Sequence, residues 1–275
     1  MKLAFVLPAL AASACGRLDF ANVPDAPDAG VDAPCRTVWT PVGPIAELNS
    51  PQTDWSPAWG QDRLQIVFES NRDGDYELYL ASRSDPSEPF SAPRRLTEIN
   101  TPDDDRSPSL SRDGLQLFWT HLGGVERATR LSPTAPFTGP GVPVNTGVAP
   151  DLGRQDLDLI YGLPGVTEVR LAIRSRPTAA DLDFGPVRVL DEPKLPSGGY
   201  PTLSADGLEL FLELGENVPL GWSTRPDVTS PFSTPTPILE LGAAEDPDIS
   251  PDGQWLLYVT YDTNEISLAK RSCAP

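Results

Sequence analysis

The stretch "SPDGQWLLYV", residues 250–259, indicates how the whole chain folds. It places an Asp-Gly pair directly before a short, largely apolar run. Glycine adopts positive φ without steric cost, so Asp-Gly favours a tight turn between two strands. Turn residues next to a short apolar run predict a β-hairpin. Whether this hairpin stands alone or belongs to a repeat decides the fold.

Four earlier segments repeat the same pattern, with Pro at the second position, a turn pair, and then a mainly apolar run. The five copies read "SPAWGQDRLQIVF" (56–68), "SPSLSRDGLQLFW" (107–119), "APDLGRQDLDLIY" (149–161), "YPTLSADGLELFL" (200–212) and "DPDISPDGQWLLY" (246–258). Their prolines, Pro57, Pro108, Pro150, Pro201 and Pro247, are 51, 42, 51 and 46 residues apart. Recurrence at such spacings is typical of a repeat architecture.

Each copy continues with a third strand and then a fourth. The third strands end at Arg83, Arg130, Arg176, Arg225 and Arg271, and we expect each Arg to bridge to an Asp of a nearby turn. In four copies the fourth strand follows a loop that carries Phe. Four antiparallel strands per unit form the blade of a β-propeller. We therefore predict an all-β chain, folded as a five-bladed β-propeller of four-stranded antiparallel blades.

The fifth copy has no fourth strand after it, but the N-terminal region supplies one. Residues 45–57 match residues 96–108 at an offset of 51, and Trp39 falls opposite Phe90 at the same offset. The segment "WTPVGPIAELN" is thus a fourth strand with no first three in front of it. We predict that this strand joins the last blade and closes the ring.

Two cysteines flank the predicted closure. Cys35 stands just before the N-terminal strand, and Cys273 stands just after the last C-terminal one. In an exported protein such a pair predicts a disulfide, and the alternative is two unrelated thiols.

The N-terminal residues have the features of an export signal. Residues 1–14 have one positive charge, an apolar stretch too short to span a bilayer, and small residues at the end, as in a signal peptide. Small residues before Cys15 resemble the lipobox of bacterial lipoproteins, so we expect a lipid on Cys15. The alternative is ordinary signal cleavage, which leaves Cys15 as an unpaired thiol.

Residues 15–35 are rich in Asp, Ala and Pro and predict a disordered, lipid-anchored linker before a propeller of residues 36–275.

The repeats resemble a known family. The segments "SPSLSRDGLQLFW", "SNRDGDYELYLASR" (70–83) and "SPDGQWLLYV" are similar to the TolB-type, WD-like propeller repeats of bacterial envelope proteins. The resemblance covers residues 36–275, although TolB-type domains usually have six blades. It implies a periplasmic or surface scaffold that binds other molecules, and no reaction. Because Gly16 follows Cys15, we expect an outer-membrane or cell-surface lipoprotein, with the periplasmic side as the alternative.

Charge and residue usage exclude several functions. A net charge of −18 repels nucleic acid and anionic lipid headgroups, so we expect no nucleic-acid partner and membrane contact only through the lipid. The single histidine, His121, allows no histidine-based catalytic triad or multi-histidine metal site, and we assign it to packing. Acidic clusters at residues 73–77 and 103–105 offer oxygens for Ca²⁺ but lack the EF-hand spacing. We predict no metal and no cofactor.

Two classes of function remain. The first is a non-catalytic, monomeric binding scaffold of the cell envelope that recognises a protein or a glycan, with unknown ligand-binding residues. The alternative is a glycoside hydrolase-like five-bladed propeller with carboxylates in the central funnel, about 5–10 Å apart. The candidate acids are Asp54, Asp105, Asp151 and Asp246. Since Asp54 and Asp105 occupy one repeat position, which favours a structural role, we predict no catalytic residue.

Overall fold

The fold consists of five four-stranded antiparallel sheets, as predicted from the repeat. The structure is a computed structural model that describes residues 36–60, 63–153, 155–163, 170–190 and 199–274. Within these ranges no helix is both long and apolar enough to cross a membrane. The prediction of an all-β, five-bladed propeller is confirmed.

The strands follow one another from the axis outward in each blade. The first described strand, β1 (Arg36–Pro44), belongs to blade 5. Blade 1 contains β2 (Asp54–Gly60), β3 (Gln65–Ser70), β4 (Glu77–Ser82) and β5 (Arg94–Arg95). Blade 2 contains β6 (Asp105–Leu110), β7 (Gln116–His121), β8 (Gly124–Thr129) and β9 (Thr138–Thr146). Blade 3 contains β10 (Val148–Gly153), β11 (Asp158–Leu163), β12 (Arg170–Ser175) and β13 (Arg188–Val189). Blade 4 contains β14 (Thr202–Leu203), β15 (Glu209–Leu212), β16 (Gly221–Thr224) and β17 (Thr236–Pro237). Blade 5 contains β18 (Ala244–Ile249), β19 (Trp255–Thr260) and β20 (Glu265–Ala274), with β1 outermost.

The N-terminal strand closes the ring as predicted. β1 lies beside β20, and just beyond β1 the Ile45 N–H donates to the Ile266 carbonyl at 2.9 Å. The offset of 51 identifies an equivalent position, because the Arg271 guanidinium lies 5.2 Å from the Trp39 ring, much as Arg83 lies 4.2 Å from Phe90.

Each blade is covered on both faces by its neighbours. In β19, Leu256 packs into a cluster with Phe211 of blade 4, whereas the next residue, Leu257, packs with Phe68 of blade 1. Both leucines are fully buried. Successive residues of a strand point to opposite faces, so a strand buried on both faces reads as a continuous apolar run.

The Asp-Gly turns have the expected conformation. Gly114, Gly207 and Gly253 have φ values of 72°, 72° and 68°. The third copy lacks this pair, and Gln155 and Asp156 adopt positive φ in its place, at 56° and 65°.

The recurrent arginines contact the turns in a different way from the one expected. Arg130 Nε donates to the backbone carbonyl of Gly114 at 2.5 Å, and its guanidinium lies 4.4 Å from the Phe137 ring. Asp113 Oδ1 accepts from Ser111 Oγ at 2.7 Å and from Leu115 N at 2.9 Å within its own turn. Blades 1, 3 and 4 repeat the bond from arginine Nε to a turn carbonyl.

Two faces of the propeller can be distinguished. We call front the face at which the innermost strands β2, β6, β10, β14 and β18 begin, and back the face at which they end. Since neighbouring strands are antiparallel, the hairpins between second and third strands lie at the front. For the same reason β1 starts at the back and ends at the front.

Candidate functional site on the propeller axis

The repeated prolines surround the axis. The residue before each proline has positive φ, an uncommon conformation for residues other than glycine that costs about 1–3 kcal/mol. The values are 49° for Ser56, 48° for Ser107, 49° for Ala149, 27° for Tyr200 and 49° for Asp246. In four blades the pairing of first and second strands shifts register at this bend. All five prolines line one cavity on the axis.

Two small cavities lie along the axis. The front cavity, of about 30 Å³, is bordered by the prolines and by Tyr200 and Asp246. The back cavity, of about 40 Å³, is bordered by Trp59, Asp156 and Thr202 among others. Asp151 and Asp248 line both cavities and therefore separate them. A buried water needs about 10–15 Å³, so each cavity has room for a few waters only.

The residue after each proline joins one blade to the next. In four blades the side chain of this residue accepts a hydrogen bond from the next blade around the ring. The donor is the backbone N–H of the residue two positions after that blade's repeated proline. The four bonds run from Leu152 N to Ser109 Oγ (3.0 Å), Leu203 N to Asp151 Oδ2 (3.0 Å), Ile249 N to Thr202 Oγ1 (3.4 Å) and Trp59 N to Asp248 Oδ2 (2.7 Å). Blade 1 has Ala58 at this position, and its methyl group cannot accept such a bond from Leu110 N.

A second set of bonds fastens the bends at the front. Ser107 N donates to Glu69 Oε2 at 2.5 Å, and Asp246 N donates to Glu213 Oε1 at 3.0 Å. Thr120 accepts the N–H of Ala149 in the same way. Glu69, Thr120 and Glu213 all stand twelve residues after the repeated proline of their blade. At the ring-closing junction Asp246 Oδ2 accepts both N (2.9 Å) and Oγ (3.2 Å) of Ser56.

The axial carboxyl groups hold protons more strongly than usual. Burial, together with the charge of Asp246, raises the pKa of Glu69 to about 8 and that of Glu213 to about 9. Burial also raises the pKa of Asp246 and of Asp151 to about 6, and that of Asp248 well above its usual value. Loss of hydration disfavours the charged form of a carboxyl group, and a nearby carboxylate adds to the effect.

The acids singled out from the sequence separate into two groups. Asp151 and Asp246 reach the axis. Asp54 and Asp105 are buried but line neither axial cavity, and they accept the N–H of Ser50 (2.5 Å) and Thr101 (2.6 Å) in the connections between blades. Their equivalent bonds support the structural role predicted from their shared repeat position.

His121 ends β7, and its Nδ1 lies 3.2 Å from Asp105 Oδ1. It is half-buried and lines neither axial cavity. Across the described ranges, no group of three or more His, Cys, Asp or Glu side chains could hold a metal ion. Cys15 and Cys35 lie outside the described residues. Cys273 lies within β20, but its side chain is not described.

Two residues that line the axis, Asp248 and Tyr200, were not identified from the sequence, and neither were Glu69 and Glu213, which bind the bends beside it. Asp248 directly follows the repeated proline, as does Asp151. Aligning the five repeats and comparing the residues that follow the proline would have identified it. Glu69 and Glu213 stand at or near the end of an apolar second strand. This position does not indicate whether the carboxyl group points towards the axis or towards solvent. Tyr200 is at the bend that other blades fill with Ser, Ala or Asp.

Two wider grooves lie on the front face. One, of about 480 Å³, lies between blades 1 and 2 and is lined by Asp75, Asp103, Arg106 and Leu122 among others. The other, of about 420 Å³, lies between blades 5 and 1 and includes Ser50–Thr53 and Thr263–Glu265. Both lie within the range of about 300–1,000 Å³ in which small-molecule sites fall.

Solved structures share this fold. An α-L-arabinofuranosidase from Podospora anserina in complex with cellotriose has a TM-score of 0.61 at 11% identity, covering 86% of this chain and 96% of that chain. A GH62 hydrolase in complex with xylotriose has a TM-score of 0.58 at 9% identity, covering 86% and 97%. TolB from Acinetobacter baumannii has a TM-score of 0.50 at 19% identity, covering 82% of this chain.

These likenesses show the fold alone, because all three identities are low. The expected resemblance to TolB-type propellers is confirmed at that level. The chain spans 56% of the length of the Acinetobacter TolB chain. No protein-family model matches the sequence, and neither does any curated protein.

Proposed function

We propose that this chain is a non-catalytic, monomeric binding scaffold of the cell envelope, a lipid-anchored propeller that recognises a protein or a glycan. One observation supports it above all: the cavities on the axis are too small for an organic ligand. Its cavities of about 30 and 40 Å³ are far smaller than the about 300–1,000 Å³ of ordinary small-molecule sites. Recognition is then a task for the loops of the faces, where the grooves are an order of magnitude larger.

The front face carries both of the larger grooves, and this favours it as the recognition surface.

A hydrolase is the second candidate, because Glu69, Glu213 and Asp246 bring carboxyl groups from three blades to the bends around the front of the axis. The geometry argues against it, because all three carboxyl groups accept backbone N–H bonds that fasten neighbouring blades.

Site-directed photo-crosslinking in the cells that make the protein tests the binding function. A photoreactive residue is placed at Leu122 on the front face, and as a control at Leu131 on the back face; these leucines are 76% and 98% exposed. We expect a specific adduct from position 122 and none from position 131. No adduct from the front, or the same adducts from both faces, would overturn the proposal.

An activity assay separates the two candidates. The purified protein is incubated with arabinoxylan and with aryl glycosides, beside the variant Glu213→Gln. We expect no released sugar from either. Release by the parent that is lost in Glu213→Gln would replace the scaffold by the hydrolase.

A further inference from the structure

The side chains that directly follow the repeated prolines form a ring around the axis. In blades 2 to 5 all of them carry oxygen: they are Ser109, Asp151, Thr202 and Asp248. Ser109 Oγ lies 3.3 Å from Asp151 Oδ1, and Thr202 Oγ1 lies 3.2 Å from Asp248 Oδ1. Both aspartates line both axial cavities. We call these four side chains the axial oxygen ring, because they bring two carboxyl groups and two hydroxyls to the level that separates the cavities.

Each aspartate of the ring uses one carboxylate oxygen to join blades and leaves the other with a weak contact. Asp151 Oδ2 accepts Leu203 N at 3.0 Å, and Asp248 Oδ2 accepts Trp59 N at 2.7 Å. The partners of the two Oδ1 atoms are the hydroxyls at 3.3 and 3.2 Å, which is longer than the about 2.5–3.0 Å of an ordinary O–H···O hydrogen bond. The aspartates are 8% and 7% exposed, so bulk water hardly reaches these oxygens.

The described residues supply no cation for the two carboxyl groups of the ring. No Arg, Lys or His in this part of the chain forms an ion pair with Asp151 or Asp248. Each cavity adds a further buried acid, Asp246 at the front and Asp156 at the back. Among the described residues that line the cavities, Arg112 is the one base, and it acts on Asp156. Buried charges are normally paired or bound to a metal, so this surplus of acids indicates a place for a cation.

The donor atoms of the ring suit a hard divalent cation. Carboxylate, hydroxyl and water oxygens bind Ca²⁺ and Mg²⁺, whereas softer metals favour nitrogen and sulfur. Two oxygens at right angles around Ca²⁺ are about 3.3–3.7 Å apart, and around Mg²⁺ about 2.9 Å, given the usual metal–oxygen distances. The observed spacings of 3.3 and 3.2 Å are nearer the calcium value. The cavities of about 30 and 40 Å³ on either side have room for waters that complete a shell of about six to eight oxygens.

We propose that the axial oxygen ring is a calcium site, in which the two aspartates supply the negative charge, the two hydroxyls supply further oxygens, and water from the cavities completes the shell. One ion then binds side chains from four of the five blades. Because these side chains come together only in the folded ring, the ion stabilises the ring against unfolding.

Such a site has no signature of local spacing. Successive members of the ring are 42, 51 and 46 residues apart in the sequence, one in each blade. The sequence prediction of no metal rested on ligand spacing within short segments, which does not detect ligands that a repeat distributes over four blades. The ring also has fewer than three acidic side chains, and its other oxygens come from hydroxyls.

Calorimetric titration of the EDTA-treated parent with calcium chloride tests the proposal. We expect one ion per chain and weaker binding of magnesium chloride. Asp151→Asn and Asp248→Asn keep an acceptor for the N–H bonds between blades but lose the charge, so each should weaken calcium binding by at least about tenfold. Asp103→Asn removes the same charge from the exposed acidic cluster of residues 103–105, a rival site off the axis, and should bind calcium like the parent.

Two measurements on the parent alone do not depend on any variant folding. Calcium at about a hundred times its Kd should raise the folding equilibrium constant about a hundredfold, and EDTA should reverse the gain in melting temperature. Anomalous scattering from crystals grown with calcium chloride should place the ion between Asp151 and Asp248. The proposal is overturned if the parent binds no calcium, if Asp103→Asn abolishes binding and the axial variants do not, or if the anomalous peak lies off the axis. Equal affinity for magnesium and calcium would overturn the assignment to calcium.

Discussion

Asp248 of blade 5 accepts the backbone N–H of Trp59 in blade 1 at 2.7 Å, across a sequence separation of 189 residues. The bond joins the last innermost strand to the first. Similar bonds join other successive blades, and in each the acceptor is the residue that follows the repeated proline. The bond from Trp59 to Asp248 is the one that joins blade 5 back to blade 1.

Loss of this acceptor should weaken the whole ring. We expect Asp248→Ala to lower the free energy of unfolding by about 1–3 kcal/mol, the usual effect of leaving a buried N–H without a partner. Asp248→Asn, which retains an acceptor oxygen, should lose less. Denaturant unfolding at constant pH measures both, with Asp262→Ala on the exposed front face as the control. Equal losses for Asp248→Ala and the control would contradict the role of the bond.

Blade 1 offers the converse experiment. Ala58→Ser would place a hydroxyl where Ser109 carries one in blade 2, within reach of Leu110 N by analogy with the bond from Leu152 N to Ser109 Oγ. The cavity beside Ala58 leaves room for one oxygen. We expect a gain of about 0.5–1.5 kcal/mol in the free energy of unfolding. Ala58→Val adds bulk without an acceptor and should give no gain; a similar gain from both would attribute the effect to packing.

The hairpin of residues 250–259 should be essential to the core. Leu257 is fully buried between blades 5 and 1, and Leu257→Ala should cost about 2–5 kcal/mol. Leu131→Ala removes the same atoms from a side chain that is 98% exposed, and should change stability by less than about 0.5 kcal/mol. Thermal melts of both variants beside the parent check this. A melting temperature of Leu257→Ala within a degree of the parent would exclude this segment from the core.

The anchor is testable independently of the fold. We expect Cys15 to carry lipid, given the apolar run and small residues before it. Metabolic labelling with a fatty-acid analogue should mark the parent and not Cys15→Ser. Equal labelling of both proteins would show that the lipid is elsewhere.

A disulfide between Cys35 and Cys273 is expected from the neighbouring strands. Cys35 directly precedes β1 and Cys273 lies near the end of β20, and these strands are antiparallel partners. Peptide mapping without reductant should recover the linked pair, and reduction should lower the melting temperature, since closing so long a loop stabilises by roughly 5 kcal/mol in the chain-entropy model. Two free thiols in the folded, exported protein would refute the bridge and leave the propeller intact.

The blades can be predicted from the sequence because the signals for their turns and strands are local. An Asp-Gly turn needs positive φ at Gly253, and a strand buried on both faces needs a run such as 255–259; both can be recognised within ten residues. The offset of 51 between Trp39 and Phe90 then identified the closing strand, since equivalent positions in a repeat keep equivalent neighbours.

The roles of the acidic residues depend on the assembled ring and could not be predicted from the sequence. Asp54 and Asp246 both stand near the start of an innermost strand, yet only Asp246 lies within the bend that faces the axis. The Asp246 N–H donates to Glu213 Oε1 at 3.0 Å because blade 5 packs beside blade 4, and burial together with the charge of Asp246 raises the pKa of Glu213. Burial and charge at the axis are sums over all five blades, so no single stretch of sequence contains them.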